Sequence, residues 1–334
     1  MNGILRSLCV ALLASVGLRA ATLPPWEEVV GIVRSNLAGV GEAELNEAAV
    51  RGLLQQFPSQ LILETNASQV AAAPTDSTSL VARTNLFDGA FGYLRIGRVG
   101  GGLADALAGA IGGLQTTNSV KGLVLDLRFA GGDDYAEAGR TADRFVSREQ
   151  PLLDWGAGSV LATTKTNAIA LPLAILVNAE TRGAAEALAA ALHGLRLGLL
   201  IGAPTAGQAS VFREFTLSTG QRLRVAIAPV LVGDGNPVPR QGLTPEIAVV
   251  VPAAEEQAYL ADPFKPDPRA SRPGSRTLRL TEADLVRMHR DAQDPGSVRP
   301  RRPAPLPVPV VADPVLVRGL DLLKGLAVVG GREP

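Results

Sequence analysis

Cysteine, histidine and lysine are scarce in this chain of 334 residues, which has one cysteine, two histidines and four lysines. The cysteine, Cys9, lies inside an apolar run over residues 8–18 that is typical of a secretory signal. Removal of that segment would leave no cysteine, which excludes thiol catalysis, thiolate metal ligation and disulfide bonds. Chemistry in the mature chain must therefore rely on other side chains.

An excess of charge of either sign is also missing, because Lys+Arg and Asp+Glu both number 32. No overall field attracts nucleic acid or an anionic membrane surface, so nucleic-acid binding is excluded from the hypotheses. The chain is 46% hydrophobic. This composition and length suit one large domain with small appendages.

Residues 1–20 have the organisation of a signal peptide. Arg6 precedes the apolar run, which is short for a bilayer span, and the small residues Ala20 and Ala21 follow it. An uncleaved anchor is the alternative. The pattern predicts a periplasmic or secreted protein of the bacterial envelope, with no membrane contact beyond this segment.

The remainder divides into four parts by composition and periodicity. Residues 22–64 predict two amphipathic helices broken at residues 39–41, and residues 65–88 a polar connector. Residues 89–252 alternate strand and helix patterns, which indicates an α/β fold with a βαβ core and mixed strands at its end. Residues 253–334 form a proline-rich extension with two predicted helices, one beginning at Thr281 and one following Asp313.

Five segments of the third part resemble the C-terminal processing, or tail-specific, serine peptidase family in order and spacing. They are GYLRI, GLVLDLR with its GG, LAILVNAETRGAAEALAAAL, LIGAPTAGQASV, and GQRLRVAIAP followed by QGLTPEIAV. The resemblance implies a Clp-protease/crotonase-like mixed β-sheet core with helices and an N-terminal helical cap. The family commonly carries a PDZ domain, but the twenty residues between Glu64 and Asn85 leave no room for one.

The family's catalytic serine and lysine are both replaced. Laid on the family's turn, the chain has Thr181 at the first hydroxyl, Gly183 at the nucleophile and Glu186 at the acidic position. The base position, twenty-five residues after the nucleophile, is Gln208. Glycine has no side chain with which to attack, and a neutral amide cannot accept the proton that activates a hydroxyl.

The backbone of the implied oxyanion hole is retained in sequence. The resemblance assigns it to Gly131 and Gly132, in a loop one residue shorter than the family's, and to the N–H of Ala184. Asp126 and Arg128 are expected to tie that loop down. Asp133 and Asp134 predict the start of a helix rather than a metal site, and no metal or cofactor is predicted.

Thr181 and Ser210 are the hydroxyls that could substitute for the serine, though neither has an evident base. His193 lies ten residues into the predicted helix, away from the turn. The leading hypothesis is a catalytically inactive homologue that binds extended peptide or a partner protein. The alternatives are an active serine-type peptidase with a relocated nucleophile, and crotonase-like acyl chemistry using the oxyanion loop.

Overall fold

The computed structural model describes residues 23–64, 79–264 and 311–330. The predicted signal peptide, most of the connector, the proline-rich segment and the helix expected at Thr281 lie outside these residues. None of the helices in the described part combines the length and apolar character needed to cross a membrane.

The described residues contain the following helices and strands, in chain order. The helices are α1 (Trp26–Asn36), α2 (Glu42–Gln56), α3 (Leu103–Thr117), α4 (Tyr135–Asp143), α5 (Ala184–Gly194), α6 (Ala253–Ala261) and α7 (Pro314–Gly330). The strands are β1 (Leu61–Glu64), β2 (Val81–Phe87), β3 (Phe91–Ile96), β4 (Gly122–Asp126), β5 (Pro151–Asp154), β6 (Ser159–Leu161), β7 (Leu173–Val177), β8 (Gly198–Gly202), β9 (Ser210–Thr216), β10 (Arg222–Pro229), β11 (Leu231–Val232), β12 (Asn236–Pro237) and β13 (Ile247–Ala248).

The chain divides into two compact units at Gln56. The first unit contains α1 and α2, which form a helical hairpin with an ion pair between Arg34 and Glu42 at 3.4 Å. Neither helix has a buried residue. The sequence predicted this pair of amphipathic helices from their apolar spacing.

The second unit is built on a six-stranded sheet with the order β13-β8-β7-β4-β3-β2. All neighbouring strands are parallel except β2, which runs antiparallel to β3. The central strands β4 and β7 are buried along their whole length, which explains their continuous apolar sequences GLVLD and LAILV. The predicted fold class, a mixed β-sheet core with helices, is confirmed.

Successive side chains of the central strands point to opposite faces, and each face has its own helical layer. Leu123 and Leu125 of β4 pack in a core with residues of α3, α4 and α5. Val124, from the same strand, packs with Leu320 and Leu323 of α7. The C-terminal helix therefore covers one face of the sheet, and the other three helices cover the opposite face.

Two smaller sheets complete the second unit. One has the order β1-β10-β9 and the other β12-β11-β5-β6. Two strands lie in segments for which the sequence predicted no strand. The strand β1 lies in the segment predicted as helical, and β2 in the predicted connector. β1 is four residues long, and its sequence LILE does not by itself distinguish a strand from the end of a helix. β2 has the sequence VARTNLF, which is polar along much of its length and so resembles a linker.

Candidate functional site

Three loops meet at one edge of the central sheet. They follow β4, β7 and β8, which are parallel neighbours with Asp126 beside Leu176 and Val177 beside Gly202. The carboxyl ends of parallel strands share one edge, where ligands bind in open α/β sheets. This edge carries every candidate residue that the sequence selected in the turn, the oxyanion loop and the Gln208 segment.

The turn after β7 places Gly183 at the N-cap of α5. Its backbone has φ 59° and ψ −129°, a conformation that favours glycine. The turn is held by Thr181, whose buried hydroxyl donates to the carbonyl of Leu127 at 2.9 Å and accepts from the N–H of Asn178 at 3.0 Å. Both hydrogen-bonding roles of this hydroxyl are thus structural, and they remove Thr181 from contact with a substrate.

The loop that carries Gln208 is fastened to this turn. The buried carboxylate of Glu186 accepts from the N–H groups of Gly207 at 2.8 Å and Gln208 at 2.7 Å, and from the hydroxyl of Thr205. The N–H of Ala206 donates to the carbonyl of Thr181 at 3.0 Å. The structure therefore brings the nucleophile and base positions into adjoining loops, and assigns the acidic position a positioning role.

Thr205 was not selected from the sequence, although it is the threonine of the quoted GAPTAGQ segment. Its hydroxyl also accepts from the N–H of Leu243 at 2.7 Å, and its own N–H donates to the carbonyl of Leu243 at 3.1 Å. The residue links the site loop to the segment before β13. Its buried position follows from these contacts, which no local sequence pattern encodes.

Burial raises the pKa of Glu186 above its ordinary value of 4.5. The hydrogen bonds from Thr205, Gly207 and Gln208 lower this pKa, but by less than burial raises it. The folded state therefore keeps this proton to higher pH than the unfolded state does. Its contribution to the free energy of unfolding is largest below pH 4.5 and declines as the pH rises through the raised pKa.

A comparison with a non-titrating variant isolates this effect. We expect the free energy of unfolding of the wild type, minus that of Glu186→Gln, to decrease as the pH rises from below 4.5 through the raised pKa. Urea unfolding at a series of pH values measures both proteins under the same conditions. A difference that is flat or increases with pH would contradict the assigned direction.

The loop after β4 is held by contacts with two neighbouring segments. Gly131 pairs with Arg98 in an isolated parallel bridge, and its carbonyl accepts from the N–H of Val99 at 2.8 Å. The N–H of Arg182 donates to the carbonyl of Ala130 at 3.1 Å. The side chain of Arg182 lies 3.5 Å from the position of a Cβ on Gly131, and its guanidinium is 3.6 Å from Glu180.

The predicted oxyanion donors do not form an open pair in this structure. The N–H of Ala184 donates to the carbonyl oxygen of Gly132 at 2.7 Å. The Ala184 N–H, one of the two expected donors, is thus already hydrogen-bonded. Its acceptor is a carbonyl of the loop that was expected to supply the second donor. The structure brings Gly131, Gly132 and Ala184 together, as predicted. The carbonyl of Gly132, however, points at the N–H of Ala184 and occupies the place that a substrate oxygen would take.

Beneath this loop lies a buried ionic network centred on Arg128. Its guanidinium makes paired hydrogen bonds to Asp126, at 2.9 and 2.6 Å, and to Asp313, at 3.2 and 2.8 Å. A third carboxylate, Glu256, is 3.5 Å away and also accepts from Asn178 at 2.9 Å. Asp126 and Arg128 therefore tie the loop down as the sequence predicted. The sequence did not reveal Glu256 or Asp313 as their partners.

The two aspartates after Gly132 have different environments. Asp134 is the N-cap of α4 and accepts from the N–H of Glu137 at 2.9 Å, which confirms the predicted helix start. Asp133 is largely exposed and contacts Arg224 at 3.2 Å. Among the described residues, no three His, Cys, Asp or Glu side chains are grouped as a metal site requires.

The remaining candidate hydroxyl, Ser210, begins β9. Its carbonyl accepts from the hydroxyl of Tyr135 at 2.6 Å. The basic side chains that could serve such a hydroxyl have other partners: Lys165 contacts Asp143 at 2.5 Å, and His193 is hydrogen-bonded to Glu246. In the described ranges, the geometry thus offers no hydroxyl paired with a lysine or histidine at this edge of the sheet.

Comparisons with known proteins match the part of the chain that carries this site. Residues 90–249 match the model of "Peptidase family S41". The chain is 29% identical over 161 residues to "Carboxy-terminal processing protease CtpA" of Bacillus subtilis, covering 47% of this chain and 34% of that protein. It is 31% identical over 160 residues to "Carboxyl-terminal-processing peptidase 2, chloroplastic" of Arabidopsis thaliana, covering 46% of this chain and 31% of that protein.

A solved structure extends the similarity to a larger part of the fold. A putative peptidase from Parabacteroides merdae superimposes with a TM-score of 0.51 at 18% identity, covering 70% of this chain and 85% of that one. At that identity the likeness concerns the fold alone. This chain spans about a third of the length of the two curated relatives.

Proposed function

Because this chain belongs to the C-terminal processing serine peptidases, we propose that it is a member that does not cleave peptides and instead binds an extended peptide or a partner protein. One observation carries the proposal. The N-cap of α5, where the family's nucleophile stands, is Gly183, and the adjoining loop places Gln208 where the family has its lysine. A serine peptidase needs both a hydroxyl and a base to form an acyl-enzyme.

The contacts of Thr181 support the proposal that the protein does not cleave peptides. A relocated nucleophile must reach the substrate, but this hydroxyl is buried and hydrogen-bonded to the backbone of the turn. Ser210 is the other candidate, and Lys165 and His193 are paired with Asp143 and Glu246. Within residues 23–64, 79–264 and 311–330, no specific contact favours an active peptidase over a binding protein.

We assign the bound peptide to the edge of β9. This strand begins two residues after Gln208 and is the last strand of the sheet β1-β10-β9. An edge strand offers unpaired N–H and C=O groups to which an extended chain can add. Phe215 on this strand is 45% exposed and provides an apolar contact for a peptide side chain.

The absence of hydrolysis is the first expected result. Purified protein, incubated with unfolded casein and with a fluorogenic peptide library, should release no product above a heat-inactivated control. A fluorophosphonate probe should leave the protein unlabelled, because it reacts with activated serines. Hydrolysis that disappears in Ser210→Ala, while persisting in an exposed control such as Ser159→Ala, would establish an active peptidase and overturn the proposal.

Peptide binding is the second expected result of this proposal. Fluorescence anisotropy with labelled unfolded peptides should detect binding to the wild type. The variant Phe215→Asp should weaken it by about tenfold, the loss of one buried apolar contact. Leu161→Asp is the matched control, since Leu161 is 56% exposed on β6 in another sheet. Equal effects of the two variants would remove β9 as the binding edge.

The cell envelope is the proposed location. It rests on the signal-like organisation of residues 1–20, which lie outside the described part. Amino-terminal sequencing of the protein recovered from the periplasm or medium of an expressing bacterium tests it. A chain that starts near Ala21 supports export, and an intact N-terminus in the cytoplasm contradicts it.

A further inference from the structure

The N–H of Ala184 has an unusual partner for a group at this position. It lies in the first turn of α5, immediately after Gly183, and donates to the carbonyl oxygen of Gly132 at 2.7 Å. Ala184 is fully buried. In acyl-transfer chemistry, an N–H group beside the nucleophile stabilises the negative oxygen that develops on the substrate, at about 2.7–3.1 Å. The oxygen of Gly132 stands at that distance.

We propose that the carbonyl of Gly132 is a built-in occupant of the oxyanion position, and that Gly183 is the residue that admits it. A Cβ placed on Gly183 would lie 2.3 Å from this oxygen, far inside any real contact. No residue with a side chain can stand at position 183 while the carbonyl keeps its place. The missing serine and the closed oxyanion position are therefore one structural feature rather than two separate losses.

The loop that supplies the carbonyl is itself restrained. Gly132 has φ 132°, and a Cβ on it would lie 2.2 Å from the carbonyl oxygen of Val99. The N–H of Val99 holds the carbonyl of Gly131 at 2.8 Å, and the N–H of Arg182 holds that of Ala130 at 3.1 Å. These contacts fix both residues that precede Gly132, so the carbonyl is directed at Ala184 by the neighbouring backbone.

The consequence for a bound peptide rests on the proposed function, peptide binding without cleavage. A peptide bound at the site cannot place its carbonyl oxygen on the N–H of Ala184 without displacing Gly132. The peptide would be held with its carbonyl unpolarised and therefore uncleaved. Both chemical alternatives, a relocated nucleophile and crotonase-like enolate stabilisation, need this same N–H to be free.

Nuclear magnetic resonance tests the contact directly. In the isotope-labelled wild-type protein we expect a scalar coupling across the hydrogen bond, between the nitrogen of Ala184 and the carbonyl carbon of Gly132. In Gly183→Ala the coupling should vanish, and the exchange of the Ala184 amide with solvent should accelerate by about tenfold. The matched control is Gly220→Ala, because Gly220 has a positive φ of 78° and nothing within 4 Å of an added Cβ.

Thermal unfolding measures the combined cost of the carbonyl contact and backbone strain at position 183. The Tm of Gly183→Ala should fall by about 5 °C more than that of Gly220→Ala, because its Cβ meets the Gly132 oxygen and its ψ of −129° lies outside the left-handed region. The absence of the coupling in the wild type, or equal Tm shifts of the two variants, would overturn the inference. Peptide hydrolysis by a wild-type protein that shows the coupling would overturn the proposed function and leave the hydrogen bond in place, so the two failures are distinguishable.

Discussion

Replacing Arg128 by methionine is expected to lower the free energy of unfolding by about 3–5 kcal/mol, because it strands buried carboxylates without their cation. The guanidinium is fully buried, as are Asp126 and Asp313. Methionine approximates the volume of the arginine stem but supplies no hydrogen-bond donor. Each carboxylate would then have to take up a proton or draw in water.

Urea unfolding of the wild type and Arg128→Met measures this loss. Arg51→Met is the matched control, since Arg51 pairs with Glu47 at the surface, where the two side chains are 65% and 67% exposed. Exposed pairs contribute about 0–1 kcal/mol, so the control should remain close to the wild type. A loss of similar size in both variants would show that the buried network is not what holds the loop after β4.

The network also connects distant parts of the chain. Asp313 is at the N-terminus of α7, where it accepts from the N–H of Val315 at 3.0 Å, and Glu256 belongs to α6. Through Arg128, both helices support the loop that positions Gly132. Weakening this network should therefore also accelerate exchange of the Ala184 amide, a local effect that control substitutions at the surface should not produce.

Truncation of Leu323 in α7 is expected to lower the free energy of unfolding by about 2–5 kcal/mol, the range for large-to-small changes in a packed core. Leu323 is fully buried against the central sheet, where its side chain lies 3.1 Å from the position of a Cβ on Gly122. Leu323→Ala removes contacts and leaves a cavity that the rigid strand β4 cannot close.

The same helix provides the control. Leu326 is 44% exposed, so Leu326→Ala keeps the helix propensity change while removing little buried surface, and should cost about 0.5 kcal/mol or less. Chemical denaturation measures the free energy of unfolding of both variants, which carry the same leucine-to-alanine change in the same helix. Equal losses would contradict the packing of α7 on the sheet.

Much of the fold could be predicted from local patterns. The continuous apolar strands β4 and β7 predict burial on both faces, and the spacing in GAAEALAAALHGL predicts the helix α5 that follows Gly183. The Asp134 cap could also be predicted from sequence, because an N-cap interaction spans three residues. Short-range rules suffice wherever the partners are close along the chain.

The strand β2 was missed although its partner β3 follows it directly, because its sequence VARTNLF is polar along much of its length and resembles the connector. The strand β1 was assigned to the helical region because the partner that makes it a strand, β10, lies far along the chain. The same reason hid Asp313 and Glu256, which contact Arg128 across more than a hundred residues.

The residue types alone identify which chemistry is missing. Gly183 and Gln208 stand twenty-five residues apart, and neither has a side chain that can attack a carbonyl or accept a proton. The state of the oxyanion position depends on the tertiary fold, because the direction of the Gly132 carbonyl is set by Val99, which follows β3, and by Arg182 and Ala184, which flank Gly183 after β7. Side-chain chemistry can be read from residue types, whereas the orientation of a peptide group is set by the backbone packed around it.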